Sequence, residues 1–262
     1  MIKELAVYHW KEKDFPEGVL RLEYLSCFDQ KKDWALLQVQ KTDWLVKLHG
    51  HGSSGDQIYT RQDLKNTWLP RFLTAGFSLF SPNLRGNAWM SPQAVSDLHG
   101  LLGYLREKFH ARRFFFFSGS MGGTGNLIYS ALHPEDVTAV VALCPATDLT
   151  LYYHWCREQK EPCVLKEIAA AIENSYGGPP ESLPHLYQQH SALTNCSRLV
   201  MPVCVIHGDA DAIIPVELSR LLARCLKNHR QFFYLEIPGG NHDAPLRVEE
   251  PFLWLLEKRK NA

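Results

Sequence analysis

Ser120 stands in Phe116-Phe117-Ser118-Gly119-Ser120-Met121-Gly122-Gly123, between an aromatic run and a stretch of helical spacing. A serine projected from a strained strand-to-helix turn is presented for nucleophilic attack, and G-x-S-x-G is the pattern of such a turn. Ser118 takes the place of the first glycine, and a serine is small enough to allow the close approach. Acyl transfer through that hydroxyl needs a base within hydrogen-bond reach, an acid to orient the base, and donors for an oxyanion. His242, in Ile237-Pro238-Gly239-Gly240-Asn241-His242, is the candidate base. Of the twelve histidines it alone follows a late strand through a Gly-rich loop, whereas His49 and His207 precede glycines at strand ends and read as structural. The candidate acid lies in Ile206-His207-Gly208-Asp209-Ala210-Asp211-Ala212-Ile213-Ile214-Pro215. Asp211 is preferred because it precedes the apolar start of the next helix, and Asp209 is assigned to capping turn donors. Asp243 is set aside, since it points elsewhere if its neighbour His242 points inward. The oxyanion donors are expected from the backbone N–H of Met121 and from His51 or Gly52 in Leu48-His49-Gly50-His51-Gly52-Ser53-Ser54-Gly55. A phosphate-loop reading of this segment fails, because neither Gly-Lys-Ser/Thr nor G-x-G-x-x-G is present.

Such residues act together only if strands and helices bring them to one edge. Val19 to Phe28 and Trp34 to Val39 read as closely spaced β segments forming an antiparallel edge. Trp44 to Leu48, Phe77 to Phe80, Phe114 to Phe117, Ala139 to Cys144, Val203 to Ile206 and Phe232 to Ile237 read as further strands. Helical spacing runs over Gln62 to Ala75, Ala94 to Phe109, Met121 to Leu132, Pro215 to Leu226 and Leu246 to Lys258. This alternation predicts an α/β architecture with a mostly parallel, doubly wound sheet, whose strand ends are the expected ligand edge. Between Pro145 and Pro202 no strand is evident, yet the interval is too long for a structureless connection. Leu165, Ile168 and Ile172 share one helical face there, so a helical cap inserted over the C-terminal edge of the sheet is expected. A lateral structural insertion is the alternative.

Composition narrows the partners. Lys plus Arg and Asp plus Glu are both 28, a formal net charge of zero, with no basic stripe interleaved with aromatics, so nucleic acid is not an expected partner. No run approaches the roughly 18 apolar residues of a membrane span, and the N-terminus has no signal-peptide core, so no membrane association is expected. Seven cysteines without a CxxC pattern read as free or buried thiols and predict a cytoplasmic location. No His, Cys or carboxylate spacing suggests a metal, and no cofactor is expected.

LHGHG, SGSMGG, IHGDADAIIP and GGNH follow one another in the order oxyanion loop, serine, aspartate, histidine. In this the sequence resembles the α/β-hydrolase superfamily over nearly its whole length. Residues 187–219 are similar to the catalytic domain of the prolyl oligopeptidase family and its related esterases. With 262 residues the chain has no room for that family's β-propeller, so a propeller-gated peptidase is not expected. The resemblance implies a single α/β-hydrolase domain over 1–262, with an N-terminal antiparallel edge and a cap over about 148–200. It implies a metal-independent serine hydrolase cleaving a small-molecule carboxylic ester through an acyl-enzyme, with Ser120, His242 and Asp211 as triad. A peptidase or aminoacyl hydrolase is the second reading, and a non-catalytic ligand-binding protein on the same fold the third. Trp89, Tyr152, Tyr153 and Trp155 are candidate pocket residues. The oligomeric state is not legible.

Overall fold

The strands are β1 (Lys3–His9), β2 (Val19–Leu25), β3 (Lys32–Gln38), β4 (Asp43–Val46), β5 (Ser78–Pro82), β6 (Arg113–Gly119), β7 (Ala139–Leu143), β8 (Val203–Gly208) and β9 (Phe232–Ile237). They form one sheet in the order β1-β2-β3-β5-β4-β6-β7-β8-β9. This computed structural model describes residues 2–12, 15–161 and 163–262; Pro162, within the expected cap interval, lies outside them. Strands β1, β2 and β3 pair antiparallel, β3 is antiparallel to β5, and every later pairing is parallel. The expected α/β fold with an antiparallel N-terminal edge is therefore present.

Strand β6 shows why the sheet carries helices on both faces. Side chains alternate sides along a strand, so Phe114 and Phe116 enter one core while Phe115 and Phe117 enter the other. Both sets are buried, which is why the run is uniformly apolar rather than alternating. The first core is covered by α3 (Pro92–Phe109) and α4 (Met121–Leu132), the second by a helical segment after β4 and by α9 (Glu250–Asn261).

Three features depart from the sequence expectations. Strand β1 was not anticipated; its residues are mostly exposed or half-buried, so no apolar run marks it. The expected helix over Gln62 to Ala75 is instead a short α1 (Gln57–Thr60), a π-helical turn at Leu64–Trp68 and α2 (Leu69–Thr74). Pro70 has no N–H to continue the α-helical ladder, and the Leu69 N–H bonds to the Leu64 carbonyl instead. Finally, Cys196 and Cys225 form a disulfide between a turn before β8 and the end of α8 (Val216–Cys225). The seven cysteines are thus not all free thiols, and their count carries no statement about compartment. The pairing spans 29 residues, a separation with no local motif to reveal it.

The interval between β7 and β8 holds α5 (Leu149–Glu158), α6 (Val164–Tyr176) and α7 (Pro184–Gln189). It packs on segments that leave the sheet at its C-terminal edge. The Tyr176 hydroxyl lies 3.2 Å from the carbonyls of Trp89 and Met90, and the Tyr152 hydroxyl donates to the Ile213 carbonyl at 3.0 Å. Among the described residues no helix is long and apolar enough to cross a membrane.

Candidate active site

Strand β6 ends in a turn so tight that Ser120 takes φ 58° and ψ −129° before α4 begins. The left-handed region costs a non-glycine residue on the order of 1–3 kcal/mol, so the surroundings must hold it. They do so through small residues. A Cβ at Gly122 would lie 2.6 Å from the Leu48 carbonyl oxygen, and one at Gly123 2.9 Å from that of Leu143. Helix α4 therefore sits closer to the ends of β4 and β7 than any side chain would permit. The Ser120 N–H donates to the Leu143 carbonyl at 2.8 Å. Ser118, the departure from the glycine pattern, is fully buried and accepts the Leu48 N–H at 2.8 Å. A glycine there would leave that buried donor without this partner. The serine thus couples the turn to the loop after β4.

The candidate acid and base lie on loops after β8 and β9. His242 Nδ1 lies 2.7 Å from Asp211 Oδ2, and the Asp211 side chain is fully buried. Its other oxygen, Oδ1, accepts the N–H groups of Ile213 at 2.8 Å and Ile214 at 3.0 Å. His207, wholly buried behind it, brings Nε2 to 3.2 Å of Oδ2 and is itself fixed by Ser219 and the Ile214 carbonyl. Burial alone would raise the Asp211 carboxyl, but the bonds from His207 and His242 outweigh it and hold the group well below the usual carboxylate range. Asp209 plays a different part, accepting the Gly239 N–H at 2.6 Å and so bracing the loop that carries His242.

Ser120 and His242 line one cleft of about 150 Å³, together with Lys47, His51, Gln57, Arg61, Leu64, Gly119, Leu143, Asp243 and Leu246. Among the described residues no hydrogen bond joins Ser120 Oγ to His242; in unliganded enzymes such contacts are often long and tighten with substrate. Of the two loop donors left open by the sequence, the Gly52 N–H is already given to Asn87 Oδ1 at 2.7 Å. That leaves the backbone of His51 beside the N–H of Met121. The His51 ring is held by the Trp89 indole, whose N–H donates to Nδ1 at 3.3 Å. Both supports come from a loop with several left-handed residues, Leu84, Arg85, Trp89 and Met90.

The aromatic pocket residues lie elsewhere. Trp89, Tyr152 and Tyr153 are buried in the first core, and Trp155 is half-buried against it. Tyr152 packs between Trp89 and Trp155 at ring separations of 5.5 and 6.1 Å, and its hydroxyl is spent on the Ile213 carbonyl. None of the four lines the Ser120 cleft; Trp89 instead borders a small separate cavity with Leu48, Met90 and Met121, while the other three pack in or against the first core. What sequence reasoning missed is the polar wall of that cleft. Asp243, set aside earlier, lines it and accepts from Arg61 at 2.9 Å. Lys47 was legible as a lone charge inside the apolar run Trp44 to Leu48.

Among the described residues, two clusters carry ligand-type atoms within 4.8 Å of one another. In Cys144–Asp211–His242, burial pushes the Cys144 thiol far up, and its S–H is given to the His242 carbonyl at 3.2 Å. In His99–His133–Glu135–Asp136, Asp136 is already engaged by Tyr129, Arg106 and His99. Both sets are committed to internal hydrogen bonds.

Residues 48–190, which run from the oxyanion loop through the Ser120 turn and into the helical insertion, match the family described as serine aminopeptidase, S33. The chain belongs to that family of α/β-hydrolases. Like the other members it is a serine hydrolase by family, with esterases and peptidases among its structural neighbours. It is 22% identical over 184 residues to an uncharacterized peptidase, YtmA, of Bacillus subtilis, covering 65% of this chain and 68% of the relative. Est1E from Butyrivibrio proteoclasticus superposes with a TM-score of 0.66 at 16% identity, over 93% of this chain and 100% of that one. A putative dipeptidyl aminopeptidase IV from Bacteroides ovatus gives a TM-score of 0.70 at 17% identity, covering 92% of this chain but 35% of its own. Identities this low speak for the shared fold alone.

Proposed function

We propose that this S33-family chain cleaves carboxylic esters of small molecules through an acyl-enzyme. Ser120 attacks the carbonyl, His242 takes and returns the proton, and Asp211 orients the imidazole and stabilises its charged form. The N–H groups of Met121 and His51 receive the oxyanion. The observation that carries this reading is the 2.7 Å contact between His242 Nδ1 and a buried Asp211 carboxylate, in the same cleft as a serine held at φ 58°. With Nδ1–H committed to Asp211, Nε2 is left as the basic nitrogen.

Ester rather than peptide cleavage is supported by the acids of the cleft. A peptidase that binds a free N-terminus needs a carboxylate to hold the amine, and Asp243, which lines the cleft, is paired with Arg61. The family name and the Bacillus relative favour the peptidase reading, so the test carries both arms. A fluorophosphonate probe should label Ser120 alone, and Ser120→Ala should abolish the adduct. Short p-nitrophenyl esters should exceed dipeptide anilides in kcat/KM by orders of magnitude. An adduct surviving in Ser120→Ala would remove the serine from its role, and comparable anilide turnover would transfer the assignment to a peptidase.

A further inference from the structure

Lys47 is the cleft residue that the hydrolytic reading leaves unused. It follows β4 directly and is only 5% exposed. Its ammonium makes one long hydrogen bond, to the Leu48 carbonyl at 3.4 Å, and among the described residues no carboxylate pairs with it. The nearby acids are spent, because Asp63 and Asp243 both accept from Arg61. Arg61 is itself a cation, and both carboxylates lie against it at 2.7 and 2.9 Å, so neither pairs directly with Lys47. The remaining polar side chains around the cleft are His51, Gln57, Ser120 and His242, none of them an acid.

Burying an ammonium without a direct ionic partner is costly, and an apolar chain of the same length would fill the site without that cost. Burial pushes the Lys47 amine down to about 8, with Arg61 adding to the drop and Asp63 opposing it, so most of it still carries a proton at neutral pH. A charge kept under those terms, bordering the space in front of Ser120, lacks only its partner.

We propose that Lys47 anchors a carboxylate carried by the substrate, so that the preferred ester bears a negative group a few bonds from the carbonyl attacked by Ser120. This rests on the serine-hydrolase reading. The small cleft supports it, since a short chain reaching from Ser120 toward Lys47 fills the space they share. The carboxylate gives the ammonium a direct ionic partner and replaces the water stripped from it.

The test compares p-nitrophenyl hydrogen glutarate with p-nitrophenyl pentanoate, acyl chains that end in a carboxylate and a methyl group. The wild-type enzyme should favour the glutarate ester in kcat/KM on the order of 10- to 100-fold, as a charge-assisted hydrogen bond supplies. Lys47→Met should collapse that ratio, chiefly through KM. In the wild type the ratio should also fade above pH about 8 as Lys47 loses its proton. A wild-type enzyme without the preference, or a preference that survives Lys47→Met, overturns the proposal. Binding of monomethyl glutarate to Ser120→Ala, measured by calorimetry with and without Lys47→Met, decides the anion site even if neither ester is turned over. Failure of hydrolysis together with Lys47-dependent binding would count against the hydrolase reading alone, and absence of that binding against the anchor.

Discussion

Asp211 divides its two oxygens between two tasks. Oδ1 is committed to the N–H groups of Ile213 and Ile214, which leaves Oδ2 to face His242 and His207. An asparagine here must keep its carbonyl oxygen on those two donors, so its NH₂ is turned toward the imidazole and selects the wrong tautomer. Asp211→Asn should therefore lower kcat on a p-nitrophenyl ester by about 10³–10⁴-fold, the scale seen when triad acids are so replaced. Asp209→Asn should cost far less, because an amide oxygen still accepts the Gly239 N–H. If Asp209→Asn proved the crippling change, the acid would have to be reassigned. At this scale the sequence was readable where a residue sat in a strand-to-loop context: Ser120, Asp211 and His242 follow β6, β8 and β9 as expected, and His242 meets Asp211. Residues whose part depends on a distant partner were not. The Gly52 N–H is taken up by Asn87, 35 residues away, and Asp243 pairs with Arg61, 182 residues away. Ser118 looked like an imperfection of the motif until its bond to Leu48, 70 residues off, gave it a purpose.

Between the elements, what positions the chemistry is the contact of one loop with the next. Strand β8 ends at Gly208, and a Cβ there would lie 2.2 Å from the Gly240 carbonyl oxygen and 2.6 Å from that of Asn241. The loop bearing Asp211 and the loop bearing His242 are thus stacked backbone to backbone, and the Ala210 N–H donates to the Gly240 carbonyl at 2.9 Å. Gly208→Ala must push the histidine loop outward. Since a displacement of about 1 Å can cost on the order of 10²-fold, kcat should drop by at least about tenfold while far-UV circular dichroism stays unchanged. Gly103→Ala, inside α3 where a Cβ meets nothing within 4 Å, should leave kcat alone and stabilise by roughly 0.5–1 kcal/mol. Equal loss of activity in both variants would refute the loop-stacking account. The periodic patterns located most strands and helices within a few residues, because burial on both sheet faces writes itself into composition. They could not locate β1, whose residues stay largely near solvent, or the π turn that Pro70 imposes, or the start of α9, where Pro251 opens the helix later than the apolar pattern suggests.

Across the molecule, one carboxylate ties the first parallel strand to the last helix. Asp43, at the start of β4, accepts from Arg113 Nε at 2.8 Å and Nη2 at 2.7 Å, and from Arg259 Nε at 2.7 Å. Arg259 also donates to the Ala75 carbonyl at 2.6 Å and lies 4.1 Å from the Phe77 ring centroid, so α9 is clasped to the start of the sheet. That helix places Trp254 and Leu255 in the second core, and losing its anchor should be felt in global stability. Burial would raise the Asp43 carboxyl, but its bonds to Arg113 and Arg259 outweigh that and hold it below its ordinary value. A carboxyl lowered on folding contributes stability that is complete above its unfolded value, near 4, and is lost as pH falls through the folded one. Asp43→Asn should accordingly destabilise by about 1–3 kcal/mol at pH 7, less than a fully buried pair because both guanidinium groups retain some solvent. Urea titrations at pH 7 and at successive steps below pH 4 should show the gap between wild type and variant closing with acid. A gap that stays constant across that range would mean that Asp43 contributes shape and not charge, and that α9 is held by its apolar face alone.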